Sequence, residues 1–419
     1  MLTQAPKGTK DVLPSESYKW QYVEALMREI CALNGYKEMR TPIFEHTELF
    51  ERGIGDTTDV VQKEMYTMKD KGGRSITLKP EATAPFVRAF IEHSMFNDIQ
   101  PVKIYCTTPC FRYEKPQSGR LREFHQFDIE VLGSSDPSVD AEVINIAMML
   151  YGRLGVKNLE IRINSVGCPK CRADYNKKLK EYLSEKLDNL CETCKDRYNK
   201  NPMRIIDCKE EKCREQLAGV PFMLDNICDE CREHFEGLKK SLELLGLEYV
   251  VDPKIVRGLD YYTKTAFEIV SRDIGSQGTV CGGGRYDGLI EECGGPSTPG
   301  IGFGLGLERL LLVVENQGLD IPVPVYIDVY VANMGKEGAD EALRQINLLR
   351  KEGIKAEKDY MGRSLKAQMK YANKINARYV VVLGEEEVKS GRIKVKDMNS
   401  GSEEEISLDA LTGYMKERI

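Results

Sequence analysis

Nothing in this sequence reads as a membrane span, a leader, an internal repeat or a low-complexity tract. No apolar run reaches the roughly 20 residues that a bilayer-crossing helix needs, and residues 1–11 lack a basic start followed by an apolar middle. These absences set the expectation of a cytoplasmic protein without a membrane partner. An excess of positive charge is also missing: 60 Lys and Arg stand against 66 Asp and Glu, a net charge of −6. That balance argues against general, salt-driven binding along nucleic acid, but it permits a local basic patch on a partner-specific surface. With no leader, the 13 cysteines are not expected to build a disulfide framework.

What remains is an ordinary globular composition, 41% hydrophobic and 30% charged, in a chain of 419 residues that can hold two or three domains. Its centre of gravity is the stretch 106–133, CTTPCFRYEKPQSGRLREFHQFDIEVLG. Strand-like runs at 102–114 and 124–132 flank a basic loop with Lys115, Gly119, Arg120 and Arg122, which predicts a hairpin. Alternate residues of a strand share a face, so Arg112 and Glu114 point together. On the return strand Phe124, Gln126, Asp128 and Glu130 share one face, and His125, Phe127, Ile129 and Val131 share an apolar one. The polar face could simply be solvated. Alternatively it serves a nucleotide, since guanidinium forks grip phosphate oxygens and a carboxylate accepts from an adenine amino group.

Around this hairpin the other segments fall in order. An amphipathic helix is expected at 16–34, where Trp20, Val23, Met27, Ile30 and Leu33 keep helical spacing, followed by a strand at 36–45 that ends near Pro42. The run from Ser75 predicts a strand feeding a helix from about Pro80, with Glu81 and Thr83 in its first turn. Unpaired N–H groups there hold ligands readily, although a glutamate near a helix start is favourable by itself. Later, Val256-Arg-Gly-Leu-Asp-Tyr-Tyr-Thr263 opens a strand expected over 259–271. A regular strand would turn Arg257 and Tyr262 to opposite faces unless Gly258 relaxes it. Gly282-Gly-Gly-Arg-Tyr-Asp-Gly288 lets backbone approach a ligand closely. In Gly300-Ile-Gly-Phe-Gly-Leu-Gly-Leu-Glu-Arg309 the glycines alternate, which does not fit a dinucleotide fingerprint. They leave one strand face bare, for a flat purine or a close-packed helix. Helix packing does not explain Arg309, placed where the helix dipole disfavours a cation.

Between about 136 and 252 lies a helical segment that carries eight of the 13 cysteines: Cys168, Cys171, Cys191, Cys194, Cys208, Cys213, Cys228 and Cys231. Three Cys-x-x-Cys knuckles point to tetrahedral zinc, with scattered structural thiols as the other reading. Cys191, Cys194, Cys208 and Cys213 would make one set of four; Cys168, Cys171, Cys228 and Cys231 would make another that links the two ends of the insert. Beyond Pro322-Val-Pro324, which reads as a linker, β and α units alternate at 327–332, 339–351, 354–357, 365–375 and 379–383, predicting a small α/β domain. Within 350–378, nine Lys or Arg meet three acids. That run suits either a solvated helix face or the phosphates of a structured RNA.

FRYE followed by the loop arginine resembles motif 2 of the class II aminoacyl-tRNA synthetases, the first helix and strand resemble their motif 1, and GxGxGxGLERL is similar to their motif 3. RGLDYYT and GGGRYDG resemble the signatures of the histidyl-tRNA synthetases within that class. The resemblance covers nearly the whole chain. It implies an α+β fold: a class II antiparallel-sheet catalytic domain over 1–324 with a helical Cys-rich insertion at about 168–252, and an α/β anticodon-binding domain over 325–419. It further implies a homodimer joined through motif 1, with ATP, L-histidine and tRNA(His) as partners and Mg2+ accompanying ATP. Carried over by position, Arg112 and Arg257 would meet the α-phosphate, Glu114 the adenine, Arg120 the nucleotide, and Arg309 the γ-phosphate. Histidine would be held by Glu81, Ala82, Thr83, Gln126, Glu130, Arg257, Tyr261, Tyr262 and Tyr286. A synthetase-like regulatory subunit of ATP phosphoribosyltransferase and a non-catalytic tRNA-binding regulator are the rival readings. The intact RGLDYYT, the C-terminal α/β unit and the three arginines together weigh against them.

Overall fold

The alternation along 124–132 is realised in an interior strand, the third of an eight-stranded sheet. A computed structural model describes residues 3–55, 58–274 and 278–419. The chain forms two units, Met1–Ile321 and Pro322–Ile419.

In the first unit the sheet runs Lys37–Glu38, Val102–Phe111, Glu123–Leu132, Gly300–Gly306, Thr279–Arg285, Thr263–Ser271, Leu159–Ser165, Tyr249–Val251. All neighbours are antiparallel except the outermost pair at each edge. Phe127, Ile129 and Val131, with Ile301, Phe303 and Leu305 of the next strand, point into one apolar core. Helices Pro14–Leu33, Pro137–Arg153, Asp229–Leu244 and Leu307–Asn316 close that core. The opposite face of the same strands presents Gln126, Asp128, Glu130 and bare glycine. Period-two patterning thus sets a greasy side against a chemical one.

Four expectations shift. The strand expected at 36–45 divides at Pro42 into Lys37–Glu38, paired in the large sheet, and Phe44–His46, paired in a separate three-stranded sheet with Ser75–Leu78 and Tyr66–Lys69. Proline lacks the N–H that a continuous ladder would need there. The expected helix from Pro80 begins at Thr83, and the strand expected from 259 begins at Thr263. The segment from 136 is not all insertion either: Pro137–Arg153 packs in the main core and Leu159–Ser165 joins the large sheet. The cysteine-bearing helices then run from Pro169–Ser184 to Asp229–Leu244.

The second unit is a five-stranded sheet in the order Ala356–Lys358, Val329–Asn333, Tyr379–Leu383, Arg392–Asp397, Glu403–Ser407. The first three strands are parallel and the last two add an antiparallel hairpin. That hairpin was not read in the sequence, although Ile393 and Val395 alternate with charges and are its buried residues.

Candidate active site

On the chemical face of the sheet, a cavity of about 350 Å³ is walled by Arg112, Glu114, Arg120, Arg257, Tyr262 and Arg309, with Glu81, Thr83, Gln126 and Tyr261 also reaching it. Its floor is made of missing side chains. Gly282 pairs with Gly304 and Gly284 with Gly302 across two neighbouring strands. A Cβ on Gly282 would stand 2.5 Å from the Arg257 guanidinium, one on Gly284 2.9 Å from the Tyr262 ring, and one on Gly304 2.6 Å from the Gln126 amide. On Gly302 it would overlap the Glu130 carboxylate, and on Gly300 the Tyr286 ring. The bare stripe is therefore occupied mostly by the chain's own side chains; only Gly304 and Gly306 of that strand border the cavity itself.

One neighbourhood of the cavity is acidic. The Glu81 carboxylate accepts from the backbone N–H groups of Thr83 and Ala84, both at 2.9 Å, so it caps the helix that Ala82 opens. The Tyr261 hydroxyl donates to it at 3.4 Å. The Thr83 hydroxyl donates to Glu130 at 2.7 Å, and the Tyr286 hydroxyl donates to the other Glu130 oxygen. Glu130 and Tyr286 are buried beneath the cavity and do not line it; Ala82 is fully buried. Burial pushes Glu130 up to about 8, against the pull of its two hydroxyl donors. Burial, and then the charges of Glu130 and Glu81, hold Asp128 well above the carboxylate range, and burial raises Glu81 too. Three carboxyls crowded in this way are relieved by a cationic ligand. Burial likewise keeps the Tyr261, Tyr262 and Tyr286 phenols protonated, and so available as donors.

The other neighbourhood is basic. Arg112 is fixed by Nε donating to the Pro80 carbonyl at 2.8 Å and lies 5.4 Å from the Phe124 ring. Arg309 donates to the carbonyls of Gly119 (2.9 Å) and Thr279 (2.8 Å). Burial, and then the charge of Arg120, lowers its affinity for its proton, with Arg112 adding to the effect. Such a cluster is tolerated where a polyanion neutralises it. Glu114 pairs with Arg120, whose Nη2 donates at 2.6 Å. Arg257 pairs with Glu268, and its guanidinium lies 5.5 Å from the Tyr262 ring. Its Nε is buried without a partner. The irregular path of 257–262 brings Arg257 and Tyr262 to one cavity, which a regular strand would have prevented.

Sequence reasoning missed Lys209, Thr279 and Asp128 in the cavity lining, Glu268 as the partner of Arg257, and Glu64, which burial and Glu114 push up to about 7. Asp128 lay on the polar face of a strand already singled out; the others are isolated in sequence.

In the insertion, Cys168, Cys171, Cys228 and Cys231 converge, as do Cys191, Cys194, Cys208 and Cys213, with the sulfurs of each set within 4.8 Å of one another. Sulfur separations of 3.5, 3.9 and 4.0 Å in the first set and 3.9 Å in the second compare with about 3.8 Å for sulfurs around tetrahedral zinc. All eight are free thiols. In the second unit, Lys366, Lys370 and Lys374 are exposed along one face of the helix Leu365–Lys374, while Arg350, Arg363 and Arg378 are engaged with Glu357, Asp359 and Asp328.

Residues 8–310 match the family model described as histidyl-tRNA synthetase, and residues 328–418 match that of an anticodon binding domain. A curated protein named histidine--tRNA ligase from Caldanaerobacter subterraneus subsp. tengcongensis is 62% identical over 99% of this chain and 100% of its own length. One of the same name from Thermoanaerobacter pseudethanolicus is 61% identical over the same shares. Among solved structures, apo histidyl-tRNA synthetase of S. aureus superposes with a TM-score of 0.85 at 42% identity, covering 99% of both chains.

Proposed function

The chain belongs to the histidyl-tRNA synthetase family, and we propose that the arginine-lined cavity is where that family's reaction runs in it. The protein is a ligase that activates L-histidine with ATP to histidyl-adenylate and passes the histidyl group to the 3′ end of tRNA(His). The observation that carries the assignment is the division of one cavity into crowded carboxyls and crowded guanidiniums. A cationic amino acid and a triphosphate satisfy both at once.

Histidine's α-amino group fits Glu81 and Thr83, at the helix start that Ala82 opens, and its imidazole fits the phenols of Tyr261 and Tyr262, with Glu130 and Tyr286 directly behind them. Gln126 closes the same face. The histidine carboxylate then attacks the α-phosphorus in line and pyrophosphate leaves. Arg257 and Arg112 offset the charge growing on the α-phosphate, and Arg309 holds the γ-phosphate. These are positioning and charge-neutralising roles, the main resources in nucleotidyl transfer. Glu114 meets the adenine amino group once Arg120 exchanges it for the nucleotide. Glu81, Glu114, Glu268 and Glu308 already accept hydrogen bonds from protein donors. That donor set suits Mg2+ that keeps several waters and comes bound to the triphosphate, where it neutralises phosphate charge.

In the second unit, the lysine face of Leu365–Lys374, with exposed Tyr360 and Met361, is the reading for anticodon contact. Exposed Ile43, Phe44 and Met68 fit coverage by a second copy in a homodimer, testable by sedimentation. Cytoplasmic residence is part of this reading; among the described residues, no helix is long and apolar enough to cross a membrane. The two thiol sets are read as closed, structural Zn2+ centres. Histidine-dependent ATP–pyrophosphate exchange tests the central claim. Exchange that is present in the wild type and falls by about two orders of magnitude in Arg257→Ala supports it; exchange undiminished in that variant removes Arg257 from the chemistry.

A further inference from the structure

Residues 257–262 carry Arg257, Tyr261 and Tyr262, yet they belong to no strand. Their carbonyls are held instead by guanidiniums from the insertion. Arg204 Nη1 donates to the Gly258 carbonyl at 2.8 Å, and Arg172 Nη1 donates to the Asp260 carbonyl at 3.3 Å while its Nε donates to Val166 at 3.2 Å. Asn201 donates to the Asp260 carboxylate at 2.7 Å.

Each of these donors is tied in the chain to a thiol cluster. Arg172 follows Cys171 directly, and Asn201 and Arg204 lie between Cys194 and Cys208, Arg204 within the short 3-10 helix Pro202–Ile205. Lys264, just past the tyrosines, pairs at 2.9 Å with Glu230, which lies between Cys228 and Cys231. Tyr175, Leu179, Leu183, Met203, Ile205 and Ile206 pack the apolar interior of the insertion, but two of its helices bury only a thiol in it. Helix Glu192–Lys200 buries only Cys194, and helix Glu211–Gln216 buries only Cys213. Two such short helices cannot be stable on one thiol each.

Within each cluster the geometry is that of a metal knuckle. Cys168, Cys191 and Cys228 each stand immediately before a helix, and the second cysteine of each pair lies in its first turn. The backbone N–H of Cys228 donates to the Cys171 sulfur at 3.1 Å, and that of Cys191 donates to the Cys213 sulfur at the same distance. Four convergent thiols satisfy a tetrahedral ion and leave no open position for chemistry.

We propose that two four-thiolate zinc centres brace the insertion so that Arg172, Asn201 and Arg204 clamp residues 257–262, and thereby fix Arg257 and the two tyrosines for catalysis. The clamp rests on reading the cavity as the histidine-activating site; the metal centres do not. The donors are positioning residues and touch no substrate.

The test uses the full-length protein purified under reducing conditions without added metal. Metal analysis should find two zinc ions per chain, and exchange with cobalt should give the thiolate charge-transfer band of a tetrahedral four-sulfur site. In Arg204→Ala, with zinc still at two, kcat for pyrophosphate exchange should fall roughly 10- to 100-fold, the cost of a slight misplacement of a reacting group, with histidine KM changing far less. Arg204→Lys, which keeps one donor, should recover part of the loss. If Arg204→Ala loses its zinc, Asn201→Ala decides, with the same direction expected. Fewer than two zinc per chain overturns the metal centres. Full exchange in both alanine variants overturns the clamp. A wild type with two zinc but no histidine-dependent exchange overturns the functional reading, and the clamp with it, while the metal centres stand.

Discussion

Replacing Glu130 with Gln separates what this residue does for stability from what it does for histidine. Glu130 is 1% exposed and its carboxyl is pushed up to about 8, so near neutrality it is protonated in the fold and ionised in the unfolded chain. Between about pH 4.3 and pH 8 the native state binds the extra proton, so stability declines as pH rises through that window. At about 1.4 kcal/mol per unit, the loss from this one group reaches about 3.5 kcal/mol by pH 7 and about 5 kcal/mol by pH 8. Glutamine fills the same volume and does not titrate. Its amide can still meet the Thr83 and Tyr286 hydroxyls, which donate or accept as required. Urea unfolding of both proteins at pH 5, 7 and 9 should therefore show near-equal stability at pH 5 and a variant ahead by several kcal/mol at pH 9. In the same preparations, kcat/KM for histidine in pyrophosphate exchange should fall roughly 10- to 1000-fold, as a buried acceptor is lost. A stability difference that does not change with pH would refute the protonated carboxyl. Unchanged histidine kinetics would remove Glu130 from the substrate pocket.

Arg285 is fully buried against Asp140, Asp287 and the Ser134 carbonyl, so Arg285→Met should cost about 3–5 kcal/mol in denaturant unfolding by leaving buried Asp140 with His234 alone; a loss below 1 kcal/mol would contradict that network. Gly302→Ala should weaken histidine binding by at least an order of magnitude in equilibrium dialysis, because the new methyl overlaps the Glu130 carboxylate; unaltered affinity would place histidine elsewhere. A chain ending at Ile321 should still perform pyrophosphate exchange while tRNA charging falls steeply, and charging at the full rate would show that the second unit does not hold the RNA.

The parts legible in the sequence were those with a period. Alternation along Glu123–Leu132 separated Phe127, Ile129 and Val131 from Gln126, Asp128 and Glu130, and the folded strand keeps that separation. The cysteine spacing, three Cys-x-x-Cys and one Cys-x4-Cys, suggested the two sets of four whose thiols converge in the fold. What escaped depends on contacts remote in the chain. No local rule shows that Thr83 reaches Glu130, that Tyr261 reaches Glu81, or that Glu268 receives Arg257. The late start of the Thr263–Ser271 strand has the same origin: tyrosine and leucine favour a strand, but Arg172 and Arg204 take the carbonyls that a neighbouring strand would need.

The facing glycines Gly282, Gly284, Gly302 and Gly304 also make the site lopsided as a target for evolution. Because each position already carries the smallest possible residue, every substitution there subtracts room and none can add it. With the cavity read as the histidine site, as proposed, drift at these glycines can therefore only narrow the range of amino acids accepted. A broadened range, whether selected or engineered, has to come from trimming Tyr261, Tyr262 or Tyr286, where there is side chain to remove.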